Sequence, residues 1–151
     1  MGPGKDLDLL LGRGYRATGS DRSETFLEMY RAARGEGADV ELLDAVTIET
    51  DRRFDAVYTN KVLHHLTEEQ LDASLARQWE VTNPGGFGVH TFWHSEKEPE
   101  VMFGSLLFTY YTKETIVKKI TETGKWAVVE ATVYKEMEDD DSVCVVLRRV
   151  D

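Results

Sequence analysis

What the chain has little of narrows its function first. It carries one cysteine, Cys144, set inside an apolar strand-like run, so no intrachain disulfide can form and a reducing cytoplasm is the expected setting. It has no long apolar segment and no signal-peptide pattern, so no membrane span is expected. Positive charge is short as well: 18 Lys and Arg stand against 28 Asp and Glu, a net charge of −10, with no basic cluster. That composition lacks the electrostatic footprint of a nucleic-acid or anionic-membrane binder, and a small molecule or a protein is the expected partner. Internal repeats and low-complexity tracts are absent too.

What is present is enough for one domain. With 151 residues, 41% of them hydrophobic, the chain can build a real core but leaves little room for a second one, so a single domain over residues 1–151 is expected. The organising stretch is FDAVYTNKVLHHL, residues 54–66. It opens with the β-branched and aromatic residues of a buried strand and passes through Thr59 and Asn60 into a polar turn. In open α/β sheets ligands sit beyond the carboxyl ends of strands, where Tyr58, Thr59, Asn60, His64 and His65 would lie.

The rest of the chain alternates strands and helices. Gly2-Pro3-Gly4 reads as a glycine turn entering a short helix with Leu7, Leu9, Leu10 and Leu11. A strand is expected over residues 15–19, ending at Ser20, Asp21 and Arg22. Asp21 is placed either to accept ribose hydroxyls or simply to start the next helix. That helix, residues 23–34, carries Phe26, Leu27, Tyr30 and Ala33 on one face, and a strand over residues 40–43 then ends in Asp44 and Ala45. Thr67 and Gln70 fit a capping box for a helix lined by Leu71, Leu75 and Trp79, which Asn83-Pro84-Gly85-Gly86 should end. A fifth strand over residues 87–92 leads to Trp93 and His94. The aromatic segment after it, residues 101–111, fits either a substrate lid or core packing. Thr112 caps a helix with Ile116, Val117 and Ile120 inward, and two closing strands, residues 126–134 and 142–150, must be antiparallel because their connection is short. The acidic turn between them, residues 136–141, is expected to be a solvated tip, with no metal site.

This order implies an α/β fold, a Rossmann-like three-layer sandwich with a mostly parallel sheet and a C-terminal antiparallel hairpin. GPGKD, the strand ending GSD, the strand ending LLDA, FDAVYTNKVLHHL, the NPGG turn and the closing hairpin together resemble a class I S-adenosylmethionine-dependent methyltransferase over nearly the whole chain. The resemblance implies S-adenosylmethionine as cofactor. Gly2 and Gly4, with Pro3 between them, would pack on its methionine portion, Asp21 beside Arg22 would hold the ribose, and Asp44 with Ala45 would meet the adenine. Asn60, Val62 and Leu63 would flank the methyl donor. A nicotinamide-dependent oxidoreductase is the rival on the same architecture, but its third glycine position is Leu7 here.

Methyl transfer from a sulfonium needs mainly alignment and exclusion of water, so few catalytic side chains are expected. His64 is the candidate base, with at most one ring of the His64–His65 pair facing the site. Tyr58, Trp93, His94, Tyr110 and Tyr111 are expected to shape the pocket of a small-molecule acceptor. One departure from the family stands out, since its first strand, which precedes the glycine turn in mid-sheet, is missing. The chain is therefore expected to be a truncated form, to borrow a strand as a homodimer, or to be a non-catalytic remnant serving as an interaction module.

Overall fold

Gly4, at φ 85°, closes a tight turn and caps the first helix, α1 (Lys5–Gly12), in the computed structural model, which describes all 151 residues. A residue with a Cβ reaches that backbone only at a cost of roughly 1–2 kcal/mol, so glycine suits the turn. β1 (Gly19–Asp21), α2 (Glu24–Arg34) and β2 (Val40–Leu42) follow. β1 and β2 pair in parallel, from Gly19 beside Val40 to Asp21 beside Leu42. These elements form the first of two units into which the chain divides, Met1–Glu49. Its core is Leu7, Leu27, Tyr30 and Val40, with Met1, Ala17 and Ala38 packed around them.

Two expectations change in this unit. The strand expected over residues 15–19 begins only at Gly19, and Tyr15 is exposed. Phe26 and Ala33 are exposed as well, because only the narrow stripe through Leu27 and Tyr30 is covered. Gly35, at φ 102°, ends α2.

The second unit, Thr50–Asp151, is built on a four-stranded sheet in the order β3-β4-β8-β7. β3 (Phe54–Asn60) leads through a 3-10 turn (Leu63–His65) into α3 (Glu68–Val81), and β4 (Thr82–Trp93) returns parallel to β3. A small hairpin, β5 (Glu100–Met102) and β6 (Leu106–Phe108), precedes α4 (Lys113–Glu122). β7 (Trp126–Tyr134) and β8 (Ser142–Arg149) close the sheet antiparallel, as their short connection requires.

Alternation along β8 shows where the core lies. Val143, Val145 and Leu147 are fully buried, and they meet Leu71 and Leu75 of α3 and Ile116 and Ile120 of α4, so both helices cover the same face. Trp126 joins this core and donates its indole N–H to the Leu75 carbonyl at 3.0 Å. Thr67 forms both bonds of the expected capping box, accepting from the Gln70 amide while Gln70 Oε1 accepts from its own.

β3, expected to be a buried strand, is the edge of this sheet, and its side chains run between half-buried and exposed. β1 and β2 form a two-stranded sheet of their own in the first unit. NPGG does not stand between helix and strand: α3 stops at Val81, and β4 begins at Thr82 and runs through those four residues, with an irregular register against β3. The aromatic segment is the β5–β6 hairpin, with Phe103 exposed at its tip and Tyr111 buried in the core beyond it. No helix is long and apolar enough to cross a membrane.

Candidate functional site

In the first unit the glycine turn and the end of β1 are tied together. Asp21 Oδ2 accepts the Gly2 amide and the Met1 amino group, each at 2.9 Å, and Oδ1 accepts the Ser23 amide at 2.9 Å. Partial burial alone would raise the carboxyl, but these donors outweigh it and hold Asp21 below the ordinary carboxylate range. Asp21 therefore fastens the start of the α2 turn, as one of its two expected roles requires, and its carboxylate lies at the end of β1. Gly2 lies at φ 50°, and a Cβ added there would meet nothing within 4 Å, so its backbone is open to close approach. A Cβ on Gly4, by contrast, would strike Tyr30 at 2.4 Å. Beyond β2, Asp44 Oδ1 accepts the amides of Val46 at 2.7 Å and Thr47 at 3.4 Å, an Asx-type turn that includes Ala45. Arg22 is exposed.

These residues suit an adenosine. Carboxylates at the ends of two neighbouring parallel strands can accept hydroxyl and amine protons, and the open glycine lets a ligand reach the backbone.

In the second unit, β3 ends in a fixed polar cluster. Thr91 Oγ1 donates to Asn60 Oδ1 at 2.6 Å and accepts the Lys61 amide at 3.0 Å, so Asn60 is oriented from the neighbouring strand. Lys61 has left-handed backbone, φ 53°, which turns the chain out of β3 toward Val62 and Leu63. Leu63 is fully buried.

The two histidines do not point apart, as expected for neighbours. Their rings touch, with centroids 3.8 Å apart, and both lie against Phe108 of β6. The reason is the hairpin: His65 Nδ1 lies 2.7 Å from the Leu107 carbonyl, which can only accept, so His65 donates there. Its Nε2 is then the acceptor for His64 Nε2–H at 2.9 Å, leaving His64 Nδ1 as a buried acceptor with no partner. Burial, followed by the charges of His65 and Lys61, pushes His64 down to about 3. A neutral imidazole that weak is a poor proton remover near neutral pH.

The expected pocket residues do not all converge. Trp93 lies 6.3 Å from the His64 ring centroid to centroid, whereas Tyr111 is core, stacked edge-on against Phe92. His94 Nδ1 donates to the Asp140 carbonyl, and Tyr110 donates to Glu100, whose carboxylate pushes the phenol up to about 12. Tyr58 is largely exposed on β3.

Sequence reasoning missed two residues, Lys61 and His90. Lys61 stands unremarked between Asn60 and Val62, and its ammonium reaches Glu136 in the acidic turn at 3.2 Å. His90 of β4 is fully buried, its Nδ1 2.9 Å from Thr59 Oγ1 and its pKa pushed down to about 3 by burial. No local signal links residues so far apart in the chain.

The model of one family, the methyltransferase domain, matches residues 1–86, more than half of the chain. The chain belongs to the methyltransferase domain family. That match spans the glycine turn, the ends of β1 and β2 and the whole stretch from β3 to the His64–His65 pair. Solved methyltransferases share the fold. Burkholderia thailandensis 1,6-didemethyltoxoflavin-N1-methyltransferase, solved with 1,6-didemethyltoxoflavin and S-adenosylhomocysteine, is 19% identical with a TM-score of 0.84, over 99% of this chain and 68% of its own. The glycopeptide N-methyltransferase MtfA, in complex with S-adenosylmethionine, is 17% identical with a TM-score of 0.79, covering 97% and 82%. A Methanosarcina mazei S-adenosylmethionine-dependent methyltransferase is 15% identical with a TM-score of 0.81, covering 99% and 89%. No curated protein matches the sequence.

Proposed function

We propose that this methyltransferase domain binds S-adenosylmethionine and transfers its methyl group to a small-molecule acceptor. The observation that carries the reading is the Asp21 carboxylate, kept ionised at the end of β1 and hydrogen-bonded to the Gly2 amide of the glycine turn. Asp21 would hold the ribose with Arg22 at its side, Asp44 and Ala45 would meet the adenine, and Gly2, Pro3 and Gly4 would admit the methionine portion. Asn60, Val62 and Leu63 would lie beside the methyl donor. The solved relatives in complex with S-adenosylmethionine or S-adenosylhomocysteine support the cofactor.

The cofactor supplies an activated methyl on a sulfonium, a good electrophile with a neutral leaving group. What remains for the chain is to orient the acceptor and exclude water. Trp93, Tyr58, Tyr110 and His94 are the side chains proposed for that, with Tyr111 supporting them from the core. His64 contributes an acceptor nitrogen, Nδ1, and burial makes it a weak candidate base, while His65 ties the β5–β6 hairpin to the turn after β3 through the Leu107 carbonyl. A net charge of −10 favours a neutral or cationic acceptor over a nucleic acid.

A module that binds without turnover is the second reading, favoured by the three nitrogen donors already on Asp21. Calorimetric titration of the 151-residue chain with S-adenosylmethionine and S-adenosylhomocysteine, with Asp21→Asn as control, tests the first. Micromolar binding lost in the variant, with its circular dichroism unchanged, supports the cofactor site. Absence of binding by the folded chain refutes it.

A further inference from the structure

The side chain of Lys61 is 13% exposed, yet carries a full positive charge at the end of β3. Its ammonium donates to the Phe92 carbonyl at 2.9 Å and the Ser142 hydroxyl at 2.7 Å, and pairs with Glu136 at 3.2 Å. It also sits 3.6 Å from the centre of the Trp93 ring, with Tyr134 at 5.9 Å. Desolvation draws the ammonium below its ordinary value, and Glu136, then Asp141, oppose that pull. Four elements thus converge on one side chain: β3, the end of β4, the start of β8 and the β7–β8 turn.

The backbone of the same residue is the pivot between Asn60 and Val62. Its left-handed conformation, φ 53°, is one that a side chain bearing a Cβ adopts at a cost, so it persists only where surrounding contacts impose it. Here the ammonium contacts impose it from one side and the amide bond to Thr91 from the other, and Thr91 also orients Asn60. Loss of the caged side chain releases the turn that places both neighbours.

The charge matters separately. A ligand bearing a sulfonium beside Asn60 and Val62 would be repelled by a bare buried ammonium on the residue between them. Glu136 cancels that charge.

We propose that Lys61 is a positioning residue of the methyl-transfer site, setting Asn60 and Val62, and that Glu136 neutralises it so that a cationic sulfonium can bind alongside. This rests on the methyltransferase reading and goes beyond it by assigning the acidic turn a role in cofactor selection.

The test compares calorimetric affinities for S-adenosylmethionine, which is cationic at sulfur, with those for S-adenosylhomocysteine, which is not. Glu136→Gln should weaken the first by about tenfold relative to the second, because an uncovered unit charge is felt by the sulfonium and not by the uncharged thioether. The Lys61→Met/Glu136→Gln double variant, with no charge left, should return the ratio to within about twofold of wild type. Lys61→Met alone should weaken S-adenosylhomocysteine binding by about tenfold and S-adenosylmethionine binding by less, because the Glu136 carboxylate it uncovers favours the sulfonium, with Lys61→Arg recovering most of the loss. General loosening of the site lowers both affinities together and leaves the ratio alone. An unchanged ratio in Glu136→Gln therefore overturns the proposal, as does equal S-adenosylhomocysteine binding by Lys61→Met and wild type. If Lys61→Met fails to fold, Glu136→Gln, which keeps the caged lysine in place, decides the matter by its ratio. A folded wild-type chain that binds neither ligand refutes the methyltransferase reading itself, and the proposal falls with it.

Discussion

Alanine at Gly4 should be far more damaging than alanine at Gly2, although both glycines belong to one turn and both have positive φ. A Cβ on Gly4 would lie 2.4 Å from two ring carbons of Tyr30, whereas carbon atoms normally rest about 3.5–4.0 Å apart. The ring cannot swing aside cheaply. Tyr30 is buried, its hydroxyl donates to Asp8 Oδ1 at 2.8 Å, and Arg34 grips the same carboxylate through two nitrogens. Left-handed backbone costs alanine roughly 1–2 kcal/mol and overpacking adds about 1–3 kcal/mol, so Gly4→Ala should destabilise the chain by about 2–5 kcal/mol. Gly2→Ala meets no neighbour and should cost only the backbone part, roughly 1–2 kcal/mol. Urea unfolding followed by circular dichroism measures both. Adding Gly4→Ala to a Tyr30→Ala background isolates the clash, since with the ring gone only the backbone cost should remain. The reasoning is refuted if Gly4→Ala costs no more than Gly2→Ala, or if its cost is the same with and without the Tyr30 ring. Gly2→Ala in turn should fold well and lose S-adenosylhomocysteine binding, because its open space is where the ligand is proposed to approach.

Further outcomes follow from named groups. His64 and His90 are buried and ionise only at about 3, while the unfolded chain takes up protons near 6.5; stability is full above pH 6.5 and falls as pH drops toward 3. The loss at pH 5 should be on the order of 2 kcal/mol per histidine, and equal urea midpoints at pH 7 and pH 5 would contradict it. Thr67→Ala removes the capping box of α3 and should cost about 1 kcal/mol in the same unfolding assay. Glu100→Gln should bring the Tyr110 phenol down from about 12 toward the ordinary range, seen as phenolate absorbance appearing at lower pH; an unchanged titration would mean that the Tyr110–Glu100 bond is not formed in solution. Trp126→Phe leaves the Leu75 carbonyl without its indole donor in a buried place and should cost about 1–3 kcal/mol.

Several of these residues were legible in the sequence and others were not, for a physical reason. Periodicity located α3, α4 and the closing strands, because a helix or strand declares its buried face within a few residues. The Thr67–Gln70 box and the glycine turn are equally local: both partners, or the demanded φ, lie within one turn of chain. Family order then supplied the roles proposed for Asp21 and Asn60. The limits of β1 and β4 were misread, since strand ends depend on which neighbour supplies hydrogen bonds, and NPGG joins β4 only because β3 lies beside part of it.

Tertiary structure alone decided the rest. That His64 and His65 turn together follows from the Leu107 carbonyl on another hairpin, which selects their tautomers. That the acidic turn is more than a solvated tip follows from Glu136 meeting Lys61, and burial makes that meeting count, because a charge drawn out of water must find its opposite. By itself the sequence determined the helices, the alternation of strands and the carboxylates at strand ends, all consequences of short-range chemistry. Which distant groups share a proton, a charge or a face was settled only by the folded chain, since those energies depend on distances that no local pattern encodes.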